Sequence, residues 1–216
     1  MHLLLCAATT FEIEPTIQYV KRRSFTGHQI DILITGVGLL PATFHLTRQV
    51  LLNRPQLIIQ AGVGGSLDEA LSLSETVLVG EDQVGDAGVF QNGAFSSLFD
   101  MGLAAHNSLP WTNGRLVNKG ITAMQPGLKV VAGITVNEIT TNTERIAYYK
   151  QSGAQIETME GAALHYTCLM EDIPFVQLRS ISNYAGERDK HQWRMKEAIA
   201  NLNHELQNLF IKLLNE

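Results

Sequence analysis

The sequence predicts an α/β fold of three αβα layers around a central, mostly parallel or mixed sheet. Two observations carry that expectation. Short apolar runs rich in Leu, Ile and Val alternate with longer segments of helical periodicity, the pattern of strands buried on both faces under covering helices. Glycine-rich stretches also follow two of those runs, at Gly36–Gly38 and Gly62–Gly65. In open α/β sheets the ends of the strands are where ligands bind.

Taken in order, His2–Ala7 and Gln29–Thr35 are strand candidates, and Pro41–Leu52 has helical spacing with Pro41 near the first turn, where proline is tolerated. Gln56–Gln60 reads as a strand ending in the turn-like cluster AGVGGS, and Glu75–Gly80 and Leu128–Ala132 as further strands. Thr141–Gln151 and Met159–Met170 read as helices, and Phe175–Ile181 as a strand that breaks at Ser182-Asn183. The chain closes on an amphipathic helix, Lys190–Leu214, with Ile199, Leu202, Leu206, Leu209 and Leu213 at 3–4 spacing. Residues 85–127 are rich in Gly, Asn, Ser and Pro and too long for an ordinary connection, so they are expected to be a functional or interface excursion. The whole of 1–216 is expected to form one domain.

Composition excludes several classes of function. A net charge of −5 provides no basic footprint, so nucleic acid is not an expected partner. No window approaches the roughly 20 apolar residues of a membrane span. The start MHLLLCAATT lacks the basic region of a signal peptide and reads as a first strand. The two cysteines, Cys6 and Cys168, both sit in apolar contexts, which fits a reducing cytoplasm rather than a disulfide framework.

The motifs narrow the chemistry further. Thr35-Gly36-Val37-Gly38-Leu39-Leu40-Pro41 lacks the third glycine of a dinucleotide fingerprint, and Ala61-Gly62-Val63-Gly64-Gly65-Ser66 lacks the Lys-Ser/Thr of a phosphate loop. The seven histidines show no metal spacing, so neither metal nor cofactor is expected. No G-x-S-x-G elbow or activated cysteine offers a nucleophile. What remains are carboxylates: Glu12 just after the first strand, with Glu14 beside it as a solvated neighbour, and Glu160 at the opening of an apolar helix. An acidic residue in a first turn has an ordinary role as a partner of the helix dipole, so neither glutamate is decisive alone.

Five pieces in order are more specific: A-x-x-x-E ending at Glu12, G-V-G at 36–38, A-G-V-G-G-S-L, T-M-E-G-A-A, and R-S-I-S-N-Y-A-G. Together they span almost the whole chain and resemble the purine nucleoside phosphorylase and nucleosidase superfamily, in particular its nucleosidase branch. The resemblance implies that Glu160 holds the ribose hydroxyls, with one carboxylate oxygen for each O–H. Met159 would lie against the sugar, and Glu12 would take a proton from attacking water. Val63, Gly64, Val136 and Asn137 would approach the base, although the aromatic ring many members place near Val136 is missing here.

The strand LIIQAGVGG carries Gln60 where phosphorylases of the superfamily tend to carry arginine, which favours water over phosphate as nucleophile. Adenine-releasing members have Asp where this chain has Asn183. The amide of Asn183 can donate to N7 and O6 but cannot act as a general acid, which suits a 6-oxopurine. The pattern S-N-x-x-G-x-R-D-x-x-x-W resembles members acting on an inosine-like nucleoside whose 5′ extension ends in a benzoate. Arg188 and Trp193 would meet that extension, with Arg115, Arg145 and Arg194 as rivals for the ion pair. A solvated loop with Asp189 capping a helix is the plainer reading of the same stretch. An adenine-releasing nucleosidase, an inosine-type phosphorylase and a non-catalytic nucleoside-binding protein stay open as alternatives. The resemblance also implies a homo-oligomer, a dimer or larger, with Phe90, Phe95, Phe99 and Trp111 as candidate interface residues.

Overall fold

Strand β1 (His2–Ala7) sets the layering. Leu3, Leu5 and Ala7 enter one buried cluster while Leu4 and Cys6 enter another, the period-2 alternation of a strand covered on both faces. Helices α1 (Thr10–Arg22) and α5 (Met195–Leu214) cover the first face through Ile13, Ile17, Leu202, Leu206 and Leu209. Helices α2 (Leu39–Asn53) and α4 (Gly161–Glu171) cover the second through Ala42, Leu46, Val50 and Leu164. These are the three αβα layers that the alternation predicts. The structure, a computed structural model, describes residues 1–23, 25–120 and 127–214. Residues 121–126, part of the 85–127 segment, lie outside the described residues.

The sheet is mixed. Strands β2 (Gln29–Ile34), β1 and β3 (Leu57–Ser66) run parallel, and β10 (Phe175–Tyr184) adds parallel to β3. Strand β4 (Thr76–Asp82) is antiparallel to β10 and parallel to β8 (Val130–Thr135). Strand β9 (Ile156–Thr158) is parallel to β8 and antiparallel to β3. Pairing therefore runs β3–β10–β4–β8–β9 and returns to β3, closing the centre of the sheet on itself.

Several boundaries differ from the sequence expectation for identifiable reasons. The AGVGGS cluster is not a turn: β3 continues through it to Ser66, held extended by β10 on one side and β9 on the other. Strand β10 runs past Ser182-Asn183, and the irregularity there is a register shift between Ile181 and Asn183. Such bulges re-aim a side chain without ending the strand. The expected Lys190–Leu214 helix is split into a 3-10 turn, Lys190–Gln192, and α5. Asp189 caps that turn by accepting from the His191 N–H at 3.0 Å. Helix α1, with Pro15 inside it, and the three-residue β9 had too weak a pattern to be read from the sequence.

Within the 85–127 segment, β5 (Gly88–Gln91) and β6 (Ala94–Ser97) form a hairpin, and β7 (Leu116–Val117) pairs with β4. Phe95 packs at a tilt against Tyr148, a residue of α3 (Thr143–Gln151), and Phe99 meets Trp111 edge-on at 5.1 Å. Those rings are engaged locally. Phe90 stays exposed.

Candidate active site

A cavity of about 290 Å³ opens where β3, β9 and β10 meet the starts of α1 and α4. Of the residues singled out from the sequence, Glu12, Val63, Gly64, Val136, Met159, Glu160, Asn183, Arg188 and Trp193 all line it.

One end is charged. Glu12 lies in the first turn of α1, where its carboxylate accepts from the Thr9 N–H at 3.0 Å and the Thr9 hydroxyl at 2.9 Å. Its other oxygen accepts from the Val63 N–H at 3.1 Å, tying the helix start to β3. Glu160 stands at the N-cap position of α4, but its side chain turns away from the helix and its Oε1 accepts from the Gly38 N–H at 2.8 Å. Its Oε2 lies 3.7 Å from the guanidinium of Arg179. Both carboxylates are buried, at 8% and 5% exposure. Burial pushes the Glu160 carboxyl above the usual range, opposed by Arg179 and by the Gly38 N–H.

Arg179 is the hub of this end. It stands opposite Gly62 in the β10–β3 register and donates to Gln60 Oε1 at 2.6 Å. A Cβ on Gly62 would collide with that guanidinium and would stand 2.9 Å from Glu12 Oε1. Glycine there lets one cation approach the backbone that also holds Glu12. Behind α4, the Thr135 hydroxyl donates to Asp82 at 2.9 Å and accepts from the Ala162 N–H at 2.7 Å, fixing the helix start that carries Glu160. Burial pushes the Asp82 carboxyl up to about 7.

The other end is polar but loosely paired. Asn183 Oδ1 accepts from the Ser182 hydroxyl at 2.8 Å, and its amide donates to the Tyr184 carbonyl at 2.9 Å. Glu157 of β9 also lines this end, at 6% exposure. Burial pushes its carboxyl up to about 7, with Arg188 pulling the other way. The Arg188 guanidinium lies 5.6 Å from the centre of the Trp193 ring, and Trp193 donates through Nε1 to the Glu187 carbonyl at 3.2 Å. Val136 is fully buried and donates its N–H to the Thr158 carbonyl at 2.9 Å.

Asn137 is a correction. It does not line the cavity: its side-chain amide and backbone N–H both donate to Asp86, and it is exposed. Ile139 contributes to the lining instead. The rival arginines are engaged elsewhere. Arg115 pairs with Glu81, Arg145 donates to the Tyr149 hydroxyl at 3.1 Å, and Arg194 lies 3.9 Å from Glu197. The sequence does not single out Glu157, and it places Arg179 in the Phe175–Ile181 strand without a role of its own. A signal for Arg179 was available, since an arginine inside the apolar run FVQLRSIS must be buried and therefore paired. No group of three or more His, Cys, Asp or Glu able to hold a metal occurs among the described residues.

Residues 6–215 match the Phosphorylase superfamily. The chain belongs to that superfamily. It is 32% identical to a futalosine hydrolase of Thermus thermophilus over 90% of this chain and 87% of that one. It is 28% identical to a 5′-methylthioadenosine/S-adenosylhomocysteine nucleosidase of Haemophilus ducreyi over 73% of this chain and 68% of that one. The fold matches a futalosine hydrolase of Helicobacter pylori with a TM-score of 0.81 at 16% identity, covering 98% of each chain. No described helix is long and apolar enough to cross a membrane.

Proposed function

We propose that the chain is a phosphate-independent N-glycosidase that hydrolyses futalosine to hypoxanthine and dehypoxanthine futalosine, a step of menaquinone biosynthesis. The observation that carries this reading is one cavity with two buried carboxylates, Glu12 and Glu160, at one end and the amide of Asn183 at the other. As the glycosidic bond lengthens, positive charge develops on the sugar. Glu160 receives the ribose hydroxyls and, with its charge, stabilises that cation. Glu12 accepts a proton from the attacking water, and Met159 lies against the sugar face. Val63, Gly64 and Val136 border the base, and Asn183 donates to the departing 6-oxopurine.

Two features support water over phosphate. Gln60 stands on β3, and the nearby cation, Arg179, is already committed to Gln60 and Glu160. A phosphate dianion beside Glu12 and Glu160 would meet two carboxylates, with the cation next to Glu160 already engaged. Arg188 and Trp193 are proposed to receive the 5′ extension. The enzyme is further proposed to be cytoplasmic and homo-oligomeric. The exposed Phe44, Leu51 and Leu52 of α2 are an apolar surface of the kind a second copy covers.

The test is incubation with futalosine, inosine and methylthioadenosine without phosphate, followed by identification of the free base. Hypoxanthine from futalosine is the expected product. Preferred release of adenine from methylthioadenosine would instead make the chain an adenine-releasing nucleosidase. Turnover only with added phosphate would make it a phosphorylase, and binding without turnover a nucleoside-binding protein.

A further inference from the structure

The closed sheet brings Glu157, Gly65 and Asn183 into one row across three strands. Gly65 pairs with Glu157 on β9 and with Asn183 on β10. Paired residues in neighbouring strands project from the same face of a sheet, so the two outer side chains overlook the one position in the row that has none. A Cβ at Gly65 would stand 3.0 Å from Glu157 Oε1 and 3.4 Å from Asn183 Nδ2. Glycine there leaves a slot bounded by a carboxyl on one side and an amide on the other, and all three residues line the cavity.

Glu157 has no structural explanation of its own. Its Oε2 is buried and lacks a hydrogen-bond partner among the described residues. A carboxyl kept from water without a partner is costly, and such a group at a cavity wall is a place for a ligand to bond. The proposed sugar and water roles use Glu12 and Glu160 and leave it unused.

We propose that Glu157 is a specificity-determining residue that accepts the N1–H of a 6-oxopurine while Asn183 donates to O6 and N7 of the same base. This rests on the nucleosidase reading above and deepens it. A neutral 6-oxopurine presents a donor at N1 beside acceptors at O6 and N7. A carboxylate facing an amide across the slot is complementary to that edge. A 6-aminopurine has an acceptor at N1, which would set lone pair against lone pair at Glu157, and a donor at the 6-amino group, which would face the amide hydrogens. Rejection therefore acts at two adjacent atoms, the kind of mismatch that discriminates more strongly than shape. Arg188, whose charge opposes the upward push on the Glu157 carboxyl, also lines the cavity.

The experiment compares wild type and Glu157→Gln for binding of hypoxanthine and adenine by calorimetry and for futalosine turnover. The amide keeps the size of the side chain but can donate to N1 of adenine and accept from its amino group. The expected result is a loss of roughly 10- to 100-fold in hypoxanthine affinity and in kcat/KM for futalosine, with adenine affinity unchanged or improved. An equal loss for both bases, or no loss for hypoxanthine, overturns the proposal while leaving futalosine hydrolysis by the wild type intact. Wild type that hydrolyses no nucleoside overturns the functional reading and this inference together.

Should the variant fail to fold, the wild type provides a second measurement. Ionised, Glu157 only accepts and so favours N1–H, whereas protonated it gains an O–H that can donate to N1 of adenine; burial pushes its carboxyl up to about 7. The ratio of hypoxanthine to adenine affinity is therefore expected to rise as pH increases through that value, and a flat ratio overturns the proposal. The other charged or titratable groups facing Glu157 are Arg188, in the loop after β10, and Tyr149, from α3. Arginine keeps its charge throughout, and burial pushes the Tyr149 hydroxyl upward, away from the window. Gly65 and Asn183 in the same row do not titrate. Glu12 and Glu160 stand at the sugar end, which a free base leaves empty.

Discussion

At the sugar end of the cavity the charged groups are matched inside the protein: Glu12 accepts three hydrogen bonds, Glu160 is held by the Gly38 N–H and Arg179, and Arg179 is held by Gln60. At the base end, among the described residues, Glu157 Oε2 has no hydrogen-bond partner and the Asn183 amide bonds only to its sequence neighbours. The difference follows from what each end has to do. Groups that stabilise developing charge work best when fixed beforehand, because no reorganisation is then needed during the reaction. Groups that select a base must keep hydrogen-bonding capacity for it, because an unmet buried group is what penalises the wrong base.

That contrast can be broken from either side. The largest effect is expected for Glu12→Gln, which removes the proposed general base: kcat should fall by roughly 10²–10⁴-fold with KM little altered. Single-turnover kinetics on futalosine measure it, and a rate near wild type would take Glu12 out of the chemistry. Arg179→Met should leave the buried Glu160 carboxylate without its cation and destabilise the fold by about 3–5 kcal/mol. Denaturant unfolding reads this directly, and unchanged stability would mean the sugar end is not pre-paired as described. Asn183→Asp should leave stability nearly untouched but shift preference toward 6-aminopurine nucleosides by about tenfold or more, since a protonated carboxyl can donate to N7 and accept from the amino group. Competition between inosine and adenosine measures that shift, and an unchanged preference would deny Asn183 its role. The smallest effect is expected for Arg188→Ala. Its guanidinium is exposed, so KM for futalosine should rise only a few-fold while inosine is hardly affected. Equal losses on both substrates would relocate Arg188 to the base end alone.

The elements that were legible share a property: burial on one or two faces imprints a local period on the chain. Leu3, Leu4 and Leu5 announce a strand covered on both sides, and Leu202, Leu206 and Leu209 announce a helix with one buried face. The site was legible only where residue type was unusual for its place, as with Glu12, Glu160 and Asn183. Glycine misled, because the same residue marks a turn and a close approach. Gly62 and Gly65 serve close approach, and their strand neighbours decide it. Asn137 misled because Asp86, far from it in the chain, turns it outward.

The sequence by itself determined the three layers, the order of most elements, and the glutamates and asparagine from which the proposed chemistry is argued, because these depend on local periodicity and on residue type. Only the tertiary structure decided which side chains share a cavity. Glu157, Gly65 and Asn183 meet because strand register aligns them, and Arg179 reaches Gln60 and Glu160 because β10 lies beside β3. Register depends on every pairing in the closed sheet at once, and no local stretch of the chain encodes it.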